Sequence, residues 1–319
     1  MRIGKNPEKE KFTPIVYRQH RVIVPVFIPD LDELYFNNLF SVFKASLNSL
    51  IKTTDQKETN ITIINNNCKE EVTNYIDHLL KQNLIDKHIK LSSNYGKIYT
   101  ILAEARASYE QLITIADADV FYFSNWLTET KTIFKEFKKA GAVAPLPMPQ
   151  LAFYSNNSLF FNNFLKIKKG KVVKDCDLSL FEESIASKIS LKKNNWFKNQ
   201  LYLERNNVKS CVGAGHFIAT YRKTVLDKIP LEKPKYIFEN GGERFHLDAP
   251  IDQLGYYRLS TIKTFVYHLG NTIPKWVEEY SFEEFKTTKL DVKNNFSKTY
   301  IPYKLKEVIA KVYRKLITI

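Results

Sequence analysis

With 319 residues and 44% hydrophobic side chains, the chain can bury one large core or two modest ones, and its composition excludes a disordered protein. The 48 Lys and Arg against 34 Asp and Glu give a net charge of +14, which favours anionic partners (nucleotides, phospholipid head groups, nucleic acid) without choosing among them; an excess of Lys, Asn, Ile, Phe and Tyr together also follows from a biased genome composition. Cys68, Cys176 and Cys211 are spaced too widely for a zinc knuckle or a disulfide framework, the start Met1 to Pro7 is polar, and no stretch approaches the roughly 20 apolar residues of a membrane span, so a cytoplasmic protein, soluble or peripheral, is expected.

From Arg21 onward the pattern alternates between strand and helix. Val22 to Ile28 is a near-continuous apolar run, as a strand covered on both faces should be. Leu34 to Ile51 places Leu34, Phe36, Leu39, Phe40, Phe43, Leu47 and Leu50 at helical spacing and predicts the first crossover helix. Ile61 to Ile64 predicts a second strand ending in Asn65-Asn66-Asn67, followed by a helix over Glu70 to Gln82. A short strand around Ile89 to Leu91, the loop Ser92 to Lys97 and a helix over Ile98 to Ser108 lead to the strand Leu112 to Ala116. Such alternation predicts an α/β fold with a mostly parallel sheet flanked by helices and right-handed crossovers. In these sheets ligands gather beyond the carboxyl ends of the strands, where Pro25, Asn65 to Asn67, Asn94 to Lys97 and Asp117 to Asp119 all fall.

The second half is less regular. Ser155 to Lys209 is rich in Asn and Lys, includes Lys168-Lys169-Gly170-Lys171 and Lys192-Lys193-Asn194-Asn195, and interleaves Phe160, Phe161, Phe164, Trp196, Phe197 and Tyr202. Without a nucleic-acid module around it, this reads as a solvated insertion with a partly buried aromatic face, and no nucleic-acid partner is expected. Val212 to Thr220, whose glycines permit close backbone approach, precedes a predicted helix over Tyr221 to Lys228; Thr261 to Tyr267 is the last predicted strand, ending at His268.

Asp117-Ala118-Asp119 carries the chemistry. Two carboxylates at this spacing, where a buried strand meets a loop, can grip a divalent cation that in turn holds a diphosphate; buried and unpaired they would be costly. The tripeptide alone is also found in solvated loops, and its place after the strand is what raises its weight.

Between Arg21 and Asn271 the order of motifs resembles a GT-A glycosyltransferase, most closely the family 2 bacterial glycosyltransferases: an opening Val24-Pro25-Val26, the Asn-rich turn, Asn94-Tyr95-Gly96-Lys97, the D-x-D, Gly213-Ala214-Gly215-His216-Phe217, an acidic stretch before Gly255-Tyr256, and Tyr267-His268. The resemblance implies a GT-A catalytic domain over 1–274, with a nucleotide-sugar half (21–123) and an acceptor half (141–271, insertion 155–209), and a C-terminal helical extension over 275–319. It implies Asp119, Asp117 and His268 as ligands of Mn²⁺ or Mg²⁺, and Pro25, Val26, Phe27, Asn65, Asn66, Asn94, Lys97, Asp117, Ala118 and Asp119 as the surroundings of a nucleotide diphosphate sugar, a UDP-sugar before others. Asn65 to Asn67 stands where relatives often carry acidic residues, which leaves the base open. An inverting transferase needs a base for the acceptor hydroxyl. The segment Gly241 to Tyr256 offers Asp248 first and Glu243 second, with Arg244 where relatives have the second residue of a Glu-Asp pair and Asp252 as a capping or surface residue.

The expected function is metal-dependent, inverting transfer of a sugar to a glycan or lipid-linked glycan acceptor in surface polysaccharide or glycoconjugate synthesis. His268 to Trp276 also resembles the closing motif of retaining family 8 enzymes, which keeps retention as an alternative, and a basic membrane- or nucleic-acid-binding protein is the non-enzyme alternative. Pro302 to Ile319 predicts a helix with Leu305, Val308, Ile309, Val312, Tyr313, Leu316 and Ile317 on one face and Lys304, Lys306, Lys311, Arg314 and Lys315 mostly off it, suited either to packing on the catalytic domain or a second subunit or to lying on an anionic membrane.

Overall fold

The computed structural model describes residues 3–12, 14–185, 191, 195–230, 232, 234–238, 241–284 and 301–318; Lys192, Lys193 and Asn194 of the basic run, and 285–300 of the C-terminal extension, lie outside them. In chain order the main elements are β1 His20–Val26, α1 Leu39–Lys52, β2 Thr59–Asn65, α2 Glu70–Lys81, β3 Lys87–Lys90, α3 Lys97–Ala107, β4 Leu112–Ala116, β5 Val120–Tyr122, α4 Trp126–Glu136 and β6 Ala140–Ala144. The second half adds α5 Asn157–Asn163, β7 Lys168–Gly170, α6 Asp175–Ser184, β8 Gln200–Arg205, β9 Val208–Val212, β10 Ile218–Arg222, α7 Lys223–Leu226, α8 Ala249–Gln253, β11 Tyr257–Ser260, β12 Val266–His268, α9 Trp276–Glu279 and α10 Tyr303–Thr318.

The strands form a sheet in the order β3-β2-β1-β4-β10-β6-β11-β9-β8-β7 and a small pair, β12-β5. The first four strands are mutually parallel, as the alternation predicts, and β10 enters antiparallel between β4 and β6. Successive side chains of β1 serve opposite faces: Val22, Val24 and Val26 pack with Phe43 and Leu47 of α1 and Val72 and Ile76 of α2, while Ile23 packs with Ile101 and Ala105 of α3. His20 is wholly buried between the Thr59 and Thr114 hydroxyls, and burial pushes its pKa well below the ordinary value.

Several expected boundaries move. The first helix begins at Leu39, because residues 34–38 form turns whose aromatic side chains are used elsewhere: Phe36 packs edge-on against Phe27 at 6.5 Å and Tyr35 reaches the cleft. The strand expected over Thr261 to Tyr267 shrinks to β12, Val266–His268, since Thr261 bonds the carbonyl of Lys263 in a turn that links β11 of the large sheet to the β5 pair. Tyr221 and Arg222 belong to β10, so the following helix shrinks to Lys223–Leu226. The insertion is less solvated than expected: β7, β8 and β9 extend the sheet by antiparallel pairing, and Phe160, Phe181 and Leu201 are buried. Lys168 and Lys171 are engaged there by Glu204 at 2.7 Å and Asp175 at 3.0 Å.

At the C-terminus α10 packs on α5. Tyr303 donates to Asp252 at 2.7 Å, Lys306 donates to Ser158 at 3.3 Å, and Tyr313 lies 5.5 Å from the Phe160 ring. This bound face differs from the expected one: Leu305, Val308, Val312 and Leu316 are exposed, and the Ile317 side chain lies outside the described residues. Among the described residues no helix is long and apolar enough to cross a membrane.

Candidate active site

β4 delivers Asp117 to the carboxyl edge of the sheet, and the turn to β5 is pinned from both sides. The Asp117 amide donates to the Phe217 carbonyl at 2.7 Å, and the Asp119 carbonyl accepts from the Leu269 amide at 2.8 Å. β5 pairs with β12 in the register that sets Val120 opposite His268, which brings that imidazole to the D-x-D. His268 Nε2 lies 3.3 Å from Asp119 Oδ2, and one ligand atom each from Asp117, Asp119 and His268 fall within 4.8 Å of one another. The other Asp119 oxygen, Oδ1, is buried without a hydrogen-bond partner. Burial pushes the Asp119 carboxyl up to about 6; His268 opposes the rise and the Asp117 charge adds to it.

A cleft of about 280 Å³ opens beside this turn. Pro25, Val26 and Phe27 at the end of β1 line it, as do Asn66, Asn94, Lys97, Asp117, Ala118 and Asp119. Asn65 is turned away towards α2, where its side chain donates to Thr73 at 2.8 Å and accepts from the Cys68 amide at 2.8 Å. Asn66 donates to Asn94 at 2.7 Å and accepts from the Tyr95 amide at 2.9 Å, so the two asparagines form one wall. Tyr35, Phe43 and Phe238 also line the cleft, although apolar spacing assigns Phe43 to a helix face and singles out neither of the others. The signal for Phe238 is the exposed run Tyr236-Ile237-Phe238 in a polar loop.

Lys97 sits between two carboxylates, 2.5 Å from Asp117 Oδ1 and 3.2 Å from Glu243 Oε1. Burial would lower the Lys97 pKa, yet the two carboxylates outweigh it and hold it above the ordinary value. Burial likewise pushes Glu243 upward, and Lys97 leads the interactions that bring it below the usual carboxylate range. Asp248 is fully buried in a π turn, Arg244–Asp248, where Pro250 lacks the N–H that would otherwise bond the carbonyl of His246. Its carboxylate meets Arg258 Nη2 at 3.0 Å and His216 Nδ1 at 3.2 Å. Asp252 accepts from the Asn157 and Ser158 amides at 2.8 and 2.7 Å, capping α5.

Residues 34–228, more than half of the chain, match the profile of glycosyl transferase family 2, and the chain belongs to that family. Among solved structures, GalNAc-T7 with UDP, GalNAc and Mn²⁺ is 14% identical, with a TM-score of 0.51 over 79% of this chain and 44% of that one. TarS of S. aureus is 13% identical over 80% of this chain and 37% of its own, with a TM-score of 0.47; its residues 1–349 in complex with UDP-GlcNAc give 10% identity, 93% and 71% coverage and a TM-score of 0.48. This chain thus spans less than half the length of GalNAc-T7 and of the longer TarS structure. No curated protein matches it. The fold is GT-A, as the motif order implies.

Proposed function

We propose that the cleft binds a nucleotide diphosphate sugar, a UDP-sugar before others, and that the enzyme passes the sugar with inversion to a glycan or lipid-linked glycan acceptor in surface polysaccharide or glycoconjugate synthesis. The observation that carries the reading is the buried, unpartnered Oδ1 of Asp119 in a residue that lines the cleft. A buried carboxylate oxygen without a donor is expensive unless a cation meets it. Two carboxylates and an imidazole suit Mn²⁺ or Mg²⁺, the nitrogen favouring Mn²⁺. Asp117, Asp119 and His268 would hold the ion, which when bound neutralises charge on a departing diphosphate. Phe27 and Tyr35 offer flat apolar surface to a base, and the Asn66–Asn94 wall offers amide groups to its edge or to the ribose. Lys97 stands within reach of the same region, already drawn towards Asp117.

A thermal-shift panel of UDP-, GDP-, CMP- and dTDP-sugars with and without Mn²⁺ tests this. One class of donor is expected to stabilise the protein only with the metal present, and Asp119→Ala to lose that response. No stabilisation by any of them, or full turnover by the variant, overturns the reading.

We further propose peripheral attachment at the inner face of the membrane through α10. Its stripe Leu305, Val308, Val312 and Leu316 is exposed between exposed Lys304, Lys311 and Lys315, which suits an anionic lipid surface carrying such an acceptor. Leu305→Ser with Val312→Ser is expected to reduce co-sedimentation with phosphatidylglycerol vesicles while leaving the Tm unchanged. Equal vesicle binding by that variant removes the membrane contact.

A further inference from the structure

We propose that His216 is the general base for the acceptor hydroxyl and that buried Asp248 is its positioning residue, an inference that rests on the glycosyl-transfer reading of the cleft. His216 stands in the loop between β9 and β10, which two glycines press against the turn that carries Met148. A Cβ on Gly213, at φ +117°, would meet the Met148 carbonyl oxygen at 2.5 Å, and one on Gly215 would meet the Met148 sulfur at 2.3 Å. The loop is tied to the D-x-D side of the cleft: the His216 carbonyl accepts from Lys97 Nζ at 3.4 Å and the next carbonyl, of Phe217, accepts from the Asp117 amide. His216 therefore lies beside the site on the β10 flank, across β4 from the β1 and β2 ends that form the nucleotide wall.

Neither carboxylate of the neighbouring segment is placed to meet a hydroxyl directly. Asp248 has no exposed surface, with Oδ1 ion-paired to Arg258, Oδ2 hydrogen-bonded to His216 and the Tyr154 hydroxyl beside it, while Glu243 is engaged by Lys97. The His216 side chain is 39% exposed, and its Nε2 has no hydrogen-bond partner among the described residues. Arg258, also fully buried, balances the Asp248 charge, so the carboxylate accepts from Nδ1–H and fixes the tautomer that leaves the Nε2 lone pair open. The charged and titratable groups around the dyad include Asp248 and Glu243 at the ends of the π turn, Arg258 on β11, Lys97 on α3, Tyr221 on β10, and Tyr154 with Arg244 over its ring.

In the step proposed, the acceptor oxygen forms a bond to the anomeric carbon as its proton passes to His216 Nε2. The bond from that carbon to the phosphate oxygen breaks, and its electron pair leaves with the nucleoside diphosphate. The imidazolium keeps its Nδ1–H bond to Asp248 and returns the Nε2 proton to solvent after product release.

The test uses the full chain with Mn²⁺, UDP-glucose, UDP-galactose and UDP-GlcNAc as donors and water as acceptor, read as UDP release, together with long-range ¹H–¹⁵N NMR of the histidine side chains. His216→Gln is expected to keep the Mn²⁺-dependent donor thermal shift, to lose about 10²–10⁴-fold in kcat, and to lose the acid limb of the pH profile. Imidazole added to His216→Ala should restore part of the rate. Independently of turnover, the wild-type resonance that vanishes in His216→Gln should be the Nδ1–H tautomer. Asp248→Asn should lower kcat with little change in KM, and His216→Gln keeps the test decisive if that buried variant fails to fold. A His216→Gln enzyme within threefold of wild type, an unchanged acid limb, or an Nε2–H tautomer overturns the proposal. A wild-type protein that no nucleotide sugar stabilises overturns the glycosyl-transfer reading and this inference with it, whereas donor binding with an undiminished variant overturns this inference alone.

Discussion

Asp119 holds one oxygen 3.3 Å from His268 and buries the other without a partner, and that imbalance is where structure and chemistry meet most directly. Asp248 Oδ1 is likewise buried without a hydrogen bond, but it has the Arg258 guanidinium 3.0 Å away, whereas Asp119 Oδ1 asks for a charge from a bound cation. Gly96 is a second residue whose identity is dictated by its place. At φ +77° it opens α3, and a Cβ there would lie 2.2 Å from the carbonyl oxygen of Ile237, a backbone atom that no rotamer change can move aside. The loop carrying Phe238 is thus laid over the Asn94–Lys97 turn only because position 96 has no side chain. Gly96→Ala is expected to cost about 1–2 kcal/mol of stability and to weaken donor binding roughly tenfold by lifting Phe238 from the cleft. Unfolding and donor titration read both effects, and an unchanged donor affinity would remove Phe238 from the binding wall.

At the scale of elements, Glu110 ties the strands that carry the site. Placed between α3 and β4, it accepts from Arg21 of β1 at 2.5 Å and from Asn60 of β2. Burial pushes its carboxyl upward, but these hydrogen bonds outweigh burial and hold it below the usual range. A depressed folded pKa stabilises the fold above the unfolded value, near 4.3, and that contribution fades as pH falls through the folded value. Glu110→Gln is therefore expected to lose about 1–3 kcal/mol at pH 7 in denaturant unfolding, with the gap to wild type closing below about pH 4. A gap that is independent of pH would mean packing rather than charge. The elements themselves were legible where burial is two-sided or the helix amphipathic, as in β1, β2, α2 and β4. They were not where the side chains answer to something other than periodicity. Leu34 and Phe36 continue the apolar spacing of α1 although residues 34–38 form turns and Phe36 packs on Phe27, and α4 went unread because Thr130 and Lys131 are buried among its apolar residues. The last strand was misjudged because residues 261–265 turn between two sheets and only Val266–His268 pairs.

Across the whole molecule, the net positive charge finds partial employment: Lys97, Lys168 and Lys171 answer carboxylates within the fold, while Lys304, Lys311 and Lys315 face outward around an apolar stripe. That Pro25 to Phe27, Asn66, Asn94, Lys97 and Asp117 to Asp119 line one cleft was legible because they follow one another at strand ends, where topology forces convergence. The β10 side was not, since His216, Asp248 and Arg258 come from three separate loops and strands and nothing in their spacing announces that they meet. The claim on which the account turns is that Asp117, Asp119 and His268 together hold a divalent cation against a nucleoside diphosphate. Anomalous scattering at the manganese edge, from crystals grown with Mn²⁺ and UDP, tests it most directly: the account predicts one strong peak within coordinating distance of all three side chains and of the diphosphate. A diphosphate seated in the cleft with no peak there, or a peak elsewhere in the molecule, would contradict it.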